Sequence, residues 1–386
     1  MPTRVALIGA TGSIGRQALD VIGRYPEQFT LVGAVVGRRV EPLLAALAPF
    51  PAARAVVVEP ATPVAPPVRV GVKAACELAS DPDVDVVLIG GGGAGALLPT
   101  LAACRAGHLI ALATKEVLVM AGELVTKTAS EHGARIVPVD SEHSALWQCL
   151  RGEDPETVAR LVLTASGGAL RDLPLAALAQ VTPEQALRHP NWDMGPKVTV
   201  DTATMVNKGL EVIEAHFLFG IPYERIEVVL QPQSTIHSAV EFCDGAVIAQ
   251  LGLPDMRLPI ALALSGGTRL PGVVGSLELA DLGALEFRPL DPERYPALGV
   301  VRRAALRGGA TPAVLNAANE VAVAAFLEGQ ISFLEIAELL EEVTRAFSPV
   351  ESPDLEQLLA ADGWARRRAL EQVERRQPAS LGVAEA

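Results

Sequence analysis

Long apolar runs are missing from this 386-residue chain. Its longest apolar region, Leu97 to Ala113, is interrupted by Pro99, Arg105 and His108. A spanning helix needs roughly 18 apolar residues in a row, so the sequence offers no candidate for one. The first residues hold an apolar run of only five before glycines, which does not fit a signal peptide. A cytoplasmic protein is the expectation. Cysteine is scarce too: Cys76, Cys104, Cys149 and Cys243 are scattered without CxxC spacing. That excludes a disulfide framework and a thiolate zinc site, and fits a reducing compartment. Positive charge is in deficit, with a net charge of −13, which argues against a general nucleic-acid surface. A local basic pocket stays open, because net charge says nothing about pockets. Aromatics make up only 4% of the chain while apolar residues make up 50%, so Ala, Val, Leu and Gly must fill the core.

A chain this long exceeds one ordinary core, and two or three domains are expected. Up to about residue 150, short apolar strands alternate with helical stretches. The strands are Arg4–Ile8, Phe29–Val36, Ala55–Val58, Val84–Ile89, Leu109–Ala113 and Arg135–Val139. The helices are Ser13–Arg24, Val40–Leu47, Val72–Ser80, Ala96–Ala106 and Ala121–His132. Alternation of this kind predicts a parallel sheet covered by helices on both faces. The polar stretch RGEDPET ends that domain. Residues 151–265 change character: Ala159–Ala165, Ile226–Leu230 and Ala246–Leu251 read as strands of a separate sheet, and Thr202–Phe219 reads as a helix. The Gly- and Pro-rich stretch from about 166 to 196 is a candidate mobile flap, with a further helix possible at Leu175–Leu187. Residues 266–296, with repeated Gly and Pro, read as a linker. Residues 297–386 show helical patterns at Leu298–Arg307, Pro312–Glu328, Phe333–Arg345 and Pro353–Arg376, as in a small bundle, with the last ten residues frayed.

The turn Gly9-Ala10-Thr11-Gly12-Ser13-Ile14-Gly15 joins the first strand to the first helix. Glycines there let the backbone turn tightly and approach a pyrophosphate, while the helix N-terminus supplies free N–H groups. The spacing is GxxGxxG rather than the commoner GxGxxG. An NAD site places Asp or Glu after the second strand, to bind the ribose hydroxyls. Here Gly37, Arg38 and Arg39 stand there, and two guanidinium groups suit a 2′-phosphate, which selects NADP.

Chemistry is densest between His189 and Glu211, HPNWDMGPKVTVDTATMVNKGLE. An imidazole, an indole, three Thr hydroxyls, an amide and a carboxylate lie together with Lys197 and Lys208, two of the chain's five Lys. On a helix, Asn207 and Glu211 share a face at i,i+4, and Lys208 is i,i+3 from Glu211. An ordinary surface Lys–Glu pair has the same spacing. At the carboxyl end of the last strand of the first domain, Asp140 and Glu142 are two apart, so in extended chain both carboxylates face one way. With Ser141 they suit a hard divalent cation such as Mg²⁺ or Mn²⁺. Helix capping by Asp140 or Ser141 fits the same residues. Thr164-Ala165-Ser166-Gly167-Gly168 reads as an anion loop or a plain turn. Lys115, also at a strand end, can face a ligand or pair with Glu116. His108, His132 and His216 read as structural, while His237 is open.

Together these motifs resemble the 1-deoxy-D-xylulose 5-phosphate reductoisomerase family over nearly the full length. The resemblance rests on GATGSIG, ATKE, PVDSEH, TASGG, HPNWDMG, TATMVNKGLE, QPQSTIHSAVEF, LGLPDMRLPI and LNAANEVAVAAFL. It implies a homodimer with an N-terminal Rossmann-like NADPH-binding domain, an α+β catalytic domain with a mobile flap, a linker and a C-terminal helical bundle. The implied metal ligands are Asp140, Glu142 and Glu211, holding Mg²⁺ or Mn²⁺ with Co²⁺ as a further option. The implied substrate contacts are Lys115, Ser141, Glu142, Ser166, His189, Thr202, Asn207, Lys208 and Glu211. The implied cofactor contacts are Thr11, Gly12, Ser13, Ile14, Gly37, Arg38, Arg39, Thr114, Glu116 and Gly195. Lys115, Glu142, His189, Trp192 and Glu211 are the implied catalytic group. The substrate is then a phosphorylated sugar, with no nucleic-acid or membrane partner.

Some positions depart from the family pattern. Thr114 stands where Asn is common, and Thr202 where Ser is usual. GGAL replaces GGPF after Ser166, and Arg38-Arg39 replace Lys-Asn. Two other classes share parts of the pattern. A semialdehyde-dehydrogenase-like enzyme also has a GATG turn but needs a nucleophilic Cys, for which Cys149 and Cys243 are the candidates. A non-catalytic NADP sensor would not need Asp140, Glu142 and Glu211 together.

Overall fold

The structure, a computed structural model, describes residues 1–91, 93–190, 192 and 194–376. Asn191 and Asp193 of the HPNWDMG motif, and the last ten residues expected to fray, lie outside the described residues. The chain divides into two compact units. One comprises Met1–Thr164, Glu214–Glu227 and Gln233–Glu286. The other comprises Ala165–Ile213, Val228–Pro232 and Phe287–Ala386.

The first unit is built on seven strands: β1 Thr3–Ile8, β2 Phe29–Val36, β3 Arg54–Val57, β4 Arg69–Val70, β5 Val86–Ile89, β6 Leu109–Leu112 and β7 Arg135–Pro138. All neighbours pair in parallel, in the order β4-β3-β2-β1-β5-β6-β7. Helices intervene at α1 Ser13–Arg24, α2 Val40–Leu47, α3 Val72–Ala79, α4 Leu97–Arg105 and α5 Glu116–Glu131. The near-continuous apolar central strands follow from this topology, since a parallel sheet is covered on both faces and its inner strands see little solvent. Val5, Leu7, Leu88 and Ala111 are completely buried, and the same cluster takes in Ala18 and Ile22 from α1. The strand order reverses on either side of β1, the switch point at which such sheets bind ligands beyond their strand carboxyl ends.

A second sheet has four strands: β8 Val158–Ala165, β9 Ile226–Leu230, β10 Ile236–Phe242 and β11 Val247–Leu251, in the order β11-β10-β8-β9. Strand β10 runs antiparallel to both β8 and β11, and helix α6, Ser141–Cys149, packs on β10 and β11.

The second unit is mostly helical. Its Leu175–Leu187 stretch forms a 3-10 helix at Leu175–Gln180 and a short helix, α7 Pro183–Ala186, started by a Thr182–Gln185 capping box. The helix expected at Thr202–Phe219 is two helices, α8 Pro196–Thr204 and α9 Val206–Phe219. They separate at Met205, whose φ of 63° is left-handed and ends the first helix. Pro196 starts α8 early, because proline fits a first helical turn, where its missing N–H is not needed. Towards the C-terminus come α10 Arg257–Leu264, which belongs to the first unit, then α11 Pro296–Arg307, α12 Thr311–Leu327, α13 Phe333–Ala346 and α14 Leu355–Arg376. Among the described residues, no helix is long and apolar enough to cross a membrane.

Candidate active site

The parallel sheet brings the carboxyl ends of β1, β2, β5, β6 and β7 to one edge, and the predicted residues of the first unit follow those ends. At β1, Gly9 has φ 95° and its N–H donates to Val35 O at 2.8 Å. A Cβ on Gly9 would meet the backbone of Gly90 and Gly91 within 2.9 Å. A Cβ on Gly15 would lie 2.2 Å from Gly9 O, so α1 rests directly on the turn. These two close approaches explain the first and last glycines of the motif. Gly12 caps α1 without a side chain, so no side-chain oxygen competes with an anion for the first-turn N–H groups. Thr11 and Ser13 border that helix start, with Thr11 O accepting from Arg16 Nη1 at 2.7 Å. Ile14 packs against the core.

After β2 come Gly37, Arg38 and Arg39. The Arg38 side chain is 76% exposed and its Nη2 stands 3.5 Å from Glu59 Oε2, too long a contact to fix it. Both arginines are exposed. After β6, Thr114 is buried and donates to Ile89 O at 3.3 Å. Glu116 opens α5, which Lys115 caps.

Lys115 is 8% exposed, and its Nζ lies 2.5 Å from Asp140 Oδ2. Asp140 is not in an extended run with Glu142. It caps α6, with Oδ1 accepting the Ser141 N–H at 3.0 Å, and Glu142 sits in the first helical turn. The helix begins here because a capping carboxylate satisfies an N–H that otherwise has no partner. Capping occupies only one oxygen of Asp140 and leaves the other to Lys115. Ser141 Oγ donates to Glu142 Oε2. So Lys115, Asp140, Ser141 and Glu142 form one connected polar group.

Two residues that sequence reasoning passed over stand behind it. His143 and Glu214 are both fully buried, with His143 Nδ1 3.3 Å from Glu214 Oε2 and 3.8 Å from Asp140 Oδ2. Oxygen and nitrogen atoms of Asp140, His143 and Glu214 lie within 4.8 Å of one another. The available signal was spacing: His143 is i,i+3 from Asp140, and Glu214 is three residues beyond Glu211.

In the second unit, Ser166 follows β8. Its Oγ accepts from Gly168 N–H at 3.2 Å and lies 2.9 Å from His189 Nε2. The Trp192 N–H donates to His189 Nδ1 at 3.0 Å. An accepting Nδ1 places the proton on Nε2, so the imidazole is neutral and donates to Ser166 Oγ. Burial, helped by the charge of Arg171, pushes the His189 pKa down to about 4. Ser166, His189 and Trp192 therefore form a second connected group.

A third group lies on α9. Asn207 Nδ2 donates to Glu211 Oε1 at 2.5 Å, and Lys208 Nζ donates to Glu211 Oε2. Lys208 is 4% and Glu211 1% exposed, so this is no surface pair. Thr202 joins neither group by hydrogen bond; its hydroxyl donates to Val198 O of its own helix at 2.8 Å. Gly195 caps α8, its carbonyl accepting from Thr199 N–H at 3.1 Å.

The thiol alternative loses its ground. Cys149 is buried, and burial pushes its pKa up to about 11, the reverse of an activated nucleophile. Cys243 lies exposed in the turn between β10 and β11. Of the other histidines, His132 Nδ1 is 3.0 Å from Thr128 O and His216 Nδ1 2.8 Å from Ile221 O, both backbone contacts. His237 is buried.

A glycine turn at the switch point of a doubly wound parallel sheet, with lysine and carboxylates at the neighbouring strand ends, defines a dinucleotide-dependent α/β oxidoreductase. Comparison with known proteins narrows that class. The model for 1-deoxy-D-xylulose 5-phosphate reductoisomerase matches residues 5–122, and models for that enzyme's C-terminal domain match residues 136–219 and 251–368. The 1-deoxy-D-xylulose 5-phosphate reductoisomerase of Symbiobacterium thermophilum is 51% identical over 96% of this chain and 99% of its own length. The solved structure of the Zymomonas mobilis enzyme in complex with NADPH is 41% identical, with a TM-score of 0.89, covering 97% of this chain and all of that one. A DOX-P reductoisomerase solved with NADPH, fosmidomycin and magnesium is 36% identical, with a TM-score of 0.90, over 96% of this chain and 98% of its own. The chain belongs to the 1-deoxy-D-xylulose 5-phosphate reductoisomerase family.

Proposed function

We propose that this chain converts 1-deoxy-D-xylulose 5-phosphate to 2-C-methyl-D-erythritol 4-phosphate, using NADPH and one divalent cation, in non-mevalonate isoprenoid precursor synthesis. The observation that carries the residue assignment is the burial of Lys208 and Glu211 beside Asn207. Desolvating a lysine and a carboxylate costs several kcal/mol per ion, of order, before their attraction returns any of it. A solvated helix face would avoid that cost, whereas a ligand site requires it.

Asp140, Glu142 and Glu211 are the proposed cation ligands. A set of three carboxylates with no thiolate suits a hard ion such as Mg²⁺ or Mn²⁺. Asp140, tied by one oxygen to Ser141 N–H and by the other to Lys115, is held oriented for that role. When bound, the cation polarises the substrate's carbonyl and adjacent hydroxyl oxygens, and NADPH supplies the hydride. Lys115 and Ser141 orient the same end of the substrate. Glu142 accepts a hydroxyl proton as the skeleton rearranges to a branched aldehyde phosphate. Lys208, Asn207, Ser166 and Thr202 bind the phosphate, Thr202 by rotating its hydroxyl away from Val198 O. Fixing this remote group aligns the reacting carbons. His189 donates from Nε2, and Trp192 covers the carbon skeleton and excludes water.

At the cofactor end, the N–H groups around Thr11, Gly12, Ser13 and Ile14 receive the pyrophosphate. Gly37, Arg38 and Arg39 receive the 2′-phosphate, while Thr114, Glu116 and Gly195 complete the contacts. The reading includes a division into residues 1–150, 151–265, 266–296 and 297–386, a flap at about 166–196, a homodimer and a cytoplasmic location. The direct test follows NADPH absorbance on adding 1-deoxy-D-xylulose 5-phosphate, with and without a chelator. Substrate-dependent NADPH loss that the chelator abolishes supports the assignment. No loss with cation present rejects it, and loss unaffected by the chelator rejects the metal.

A further inference from the structure

The motif LNAANEVAVAAFL has no part in the chemistry above, yet it puts two fully buried asparagines, Asn316 and Asn319, on α12. Asn319 Nδ2 donates to Asp201 Oδ1 at 2.8 Å. Asp201 lies on α8 and is 1% exposed, and its Oδ2 is 2.9 Å from Lys197 Nζ, one turn earlier on the same helix. The Asn319 carbonyl oxygen is buried without a hydrogen bond among the described residues. The amide thus serves as a donor aimed at Asp201.

The other side of α8 carries the substrate loop. A Cβ on Gly168 would lie 2.7 Å from Ala203 Cα and 2.9 Å from Thr202 O, so the loop rests on the helix backbone with no space between. The Gly168 N–H in turn donates to Ser166 Oγ. Any shift of α8 moves Thr202 directly and Ser166 through Gly168.

We infer that Lys197, Asp201 and Asn319 are positioning residues for phosphate binding, by which the C-terminal helix α12 fixes α8 and, through it, the hydroxyls of Thr202 and Ser166. The inference rests on the phosphate assignment proposed above. A carboxylate buried this deeply needs both donors to offset its desolvation and to hold it still. With one donor gone, Asp201 draws in water or turns, and the helix follows.

The test compares Asn319→Leu and Lys197→Met with Lys208→Ala as the control that removes a proposed phosphate ligand. Three constants are measured: KM for 1-deoxy-D-xylulose 5-phosphate, KM for NADPH, and the inhibition constant of inorganic phosphate competing with substrate. The first two variants should each raise substrate KM and the phosphate inhibition constant about tenfold, the scale of losing a charge-assisted hydrogen bond. NADPH KM should stay within about twofold, since a substrate-side shift leaves uniform cofactor binding untouched. A general loss of structure would raise all three constants, and that result overturns the inference. So does an unchanged phosphate constant in both variants when Lys208→Ala raises it. If Lys208→Ala also leaves it unchanged, the phosphate assignment itself fails. Should Asn319→Leu not fold, Lys197→Met decides alone, because Lys197 is partly exposed and methionine keeps most of its bulk, so no cavity is opened.

Discussion

The proposed cofactor edge of the first unit and the proposed phosphate end of the second offer an anion opposite kinds of donor. At the cofactor edge the binding surface is backbone: Gly9, Gly12 and Gly15 contribute no side chain, and the donors are amides at a helix start. Amide dipoles carry no net charge, so they can wait for a ligand at little desolvation cost. At the proposed phosphate end the donors are side chains, and the one charged donor among them, Lys208, is buried before any ligand arrives. Lys208 is held by Glu211, and Lys197 by an Asp201 that Asn319 also holds. A buried charge without its partner costs about 3–5 kcal/mol, so these groups come in sets. The first design tolerates change in side chains but not in backbone clearance. The second tolerates neither loss of charge nor loss of a partner.

That contrast is broken most severely at Glu211. Glu211→Gln keeps the shape but removes one charge from the set that includes Lys208, and one proposed cation ligand. Turnover should fall on the order of 10²–10³-fold, the scale for losing one preorganised electrostatic contact, with weaker Mn²⁺ binding by the enzyme without substrate. Near-full activity at limiting metal would remove Glu211 from the ligand set. At the cofactor edge the comparable break is Gly15→Ala. Its methyl group would sit 2.2 Å from Gly9 O, and relieving that overlap, at about 1–3 kcal/mol, must push α1 off the turn. NADPH KM should rise tens-fold on that scale, with kcat less affected. An unchanged KM would show that α1 does not support the pyrophosphate.

Legibility in the sequence follows the same division. The cofactor edge was readable because its rules are local: apolar strands, a glycine turn, then a helix, all within two dozen residues. The parallel sheet, most of its helices and the place of Arg38 and Arg39 came from that pattern; the edge strand β4 and the start of α5 at Glu116 did not. The phosphate end was harder because its meaning depends on burial, which spacing does not report. Lys208 and Glu211 at i,i+3 read equally as a solvated pair until their exposure was known to be 4% and 1%. Asp140 and Glu142 read equally as extended carboxylates or as a helix start, and the choice between them turns on one backbone N–H. The break at Met205 was invisible, since a left-handed methionine has no sequence signal of its own. His143 and Glu214 escaped notice because a buried His–carboxylate pair is assembled by tertiary packing.

A smaller effect separates charge from backbone within the cofactor edge itself. Replacing Arg38 and Arg39 together by Ala should cut the preference for NADPH over NADH by about tenfold, the lower range for exposed charge-assisted contacts to a phosphate. The loss should appear in NADPH KM while NADH KM stays constant. The effect should also shrink in high salt, because exposed guanidinium groups are screened. An unchanged preference would mean that the 2′-phosphate is read by the backbone, as the pyrophosphate is, and that this edge uses no side-chain charge.

The least effect expected is on the pH profile through His189, and it probes the phosphate end's use of neutral donors beside its one lysine. Burial, with Arg171 adding to it, lowers the His189 pKa to about 4, from an ordinary 6.5. The folded chain thus holds the neutral ring while the unfolded chain takes up a proton below pH 6.5. The stabilisation tied to the neutral ring is fully present above pH 6.5 and is lost progressively as the pH falls towards 4. Within that window a protonated Nδ1 would point its hydrogen at the Trp192 N–H, two donors facing each other. The His189 ring signals in an NMR titration should therefore stay in the neutral position from pH 7 to about 5. Substrate KM should show no step near 6.5 from this residue. A ring that titrates near 6.5 would mean that its Nδ1 does not accept from Trp192. Ser166 would then face a cation below that pH, and the phosphate end would carry a second charged donor beside Lys208.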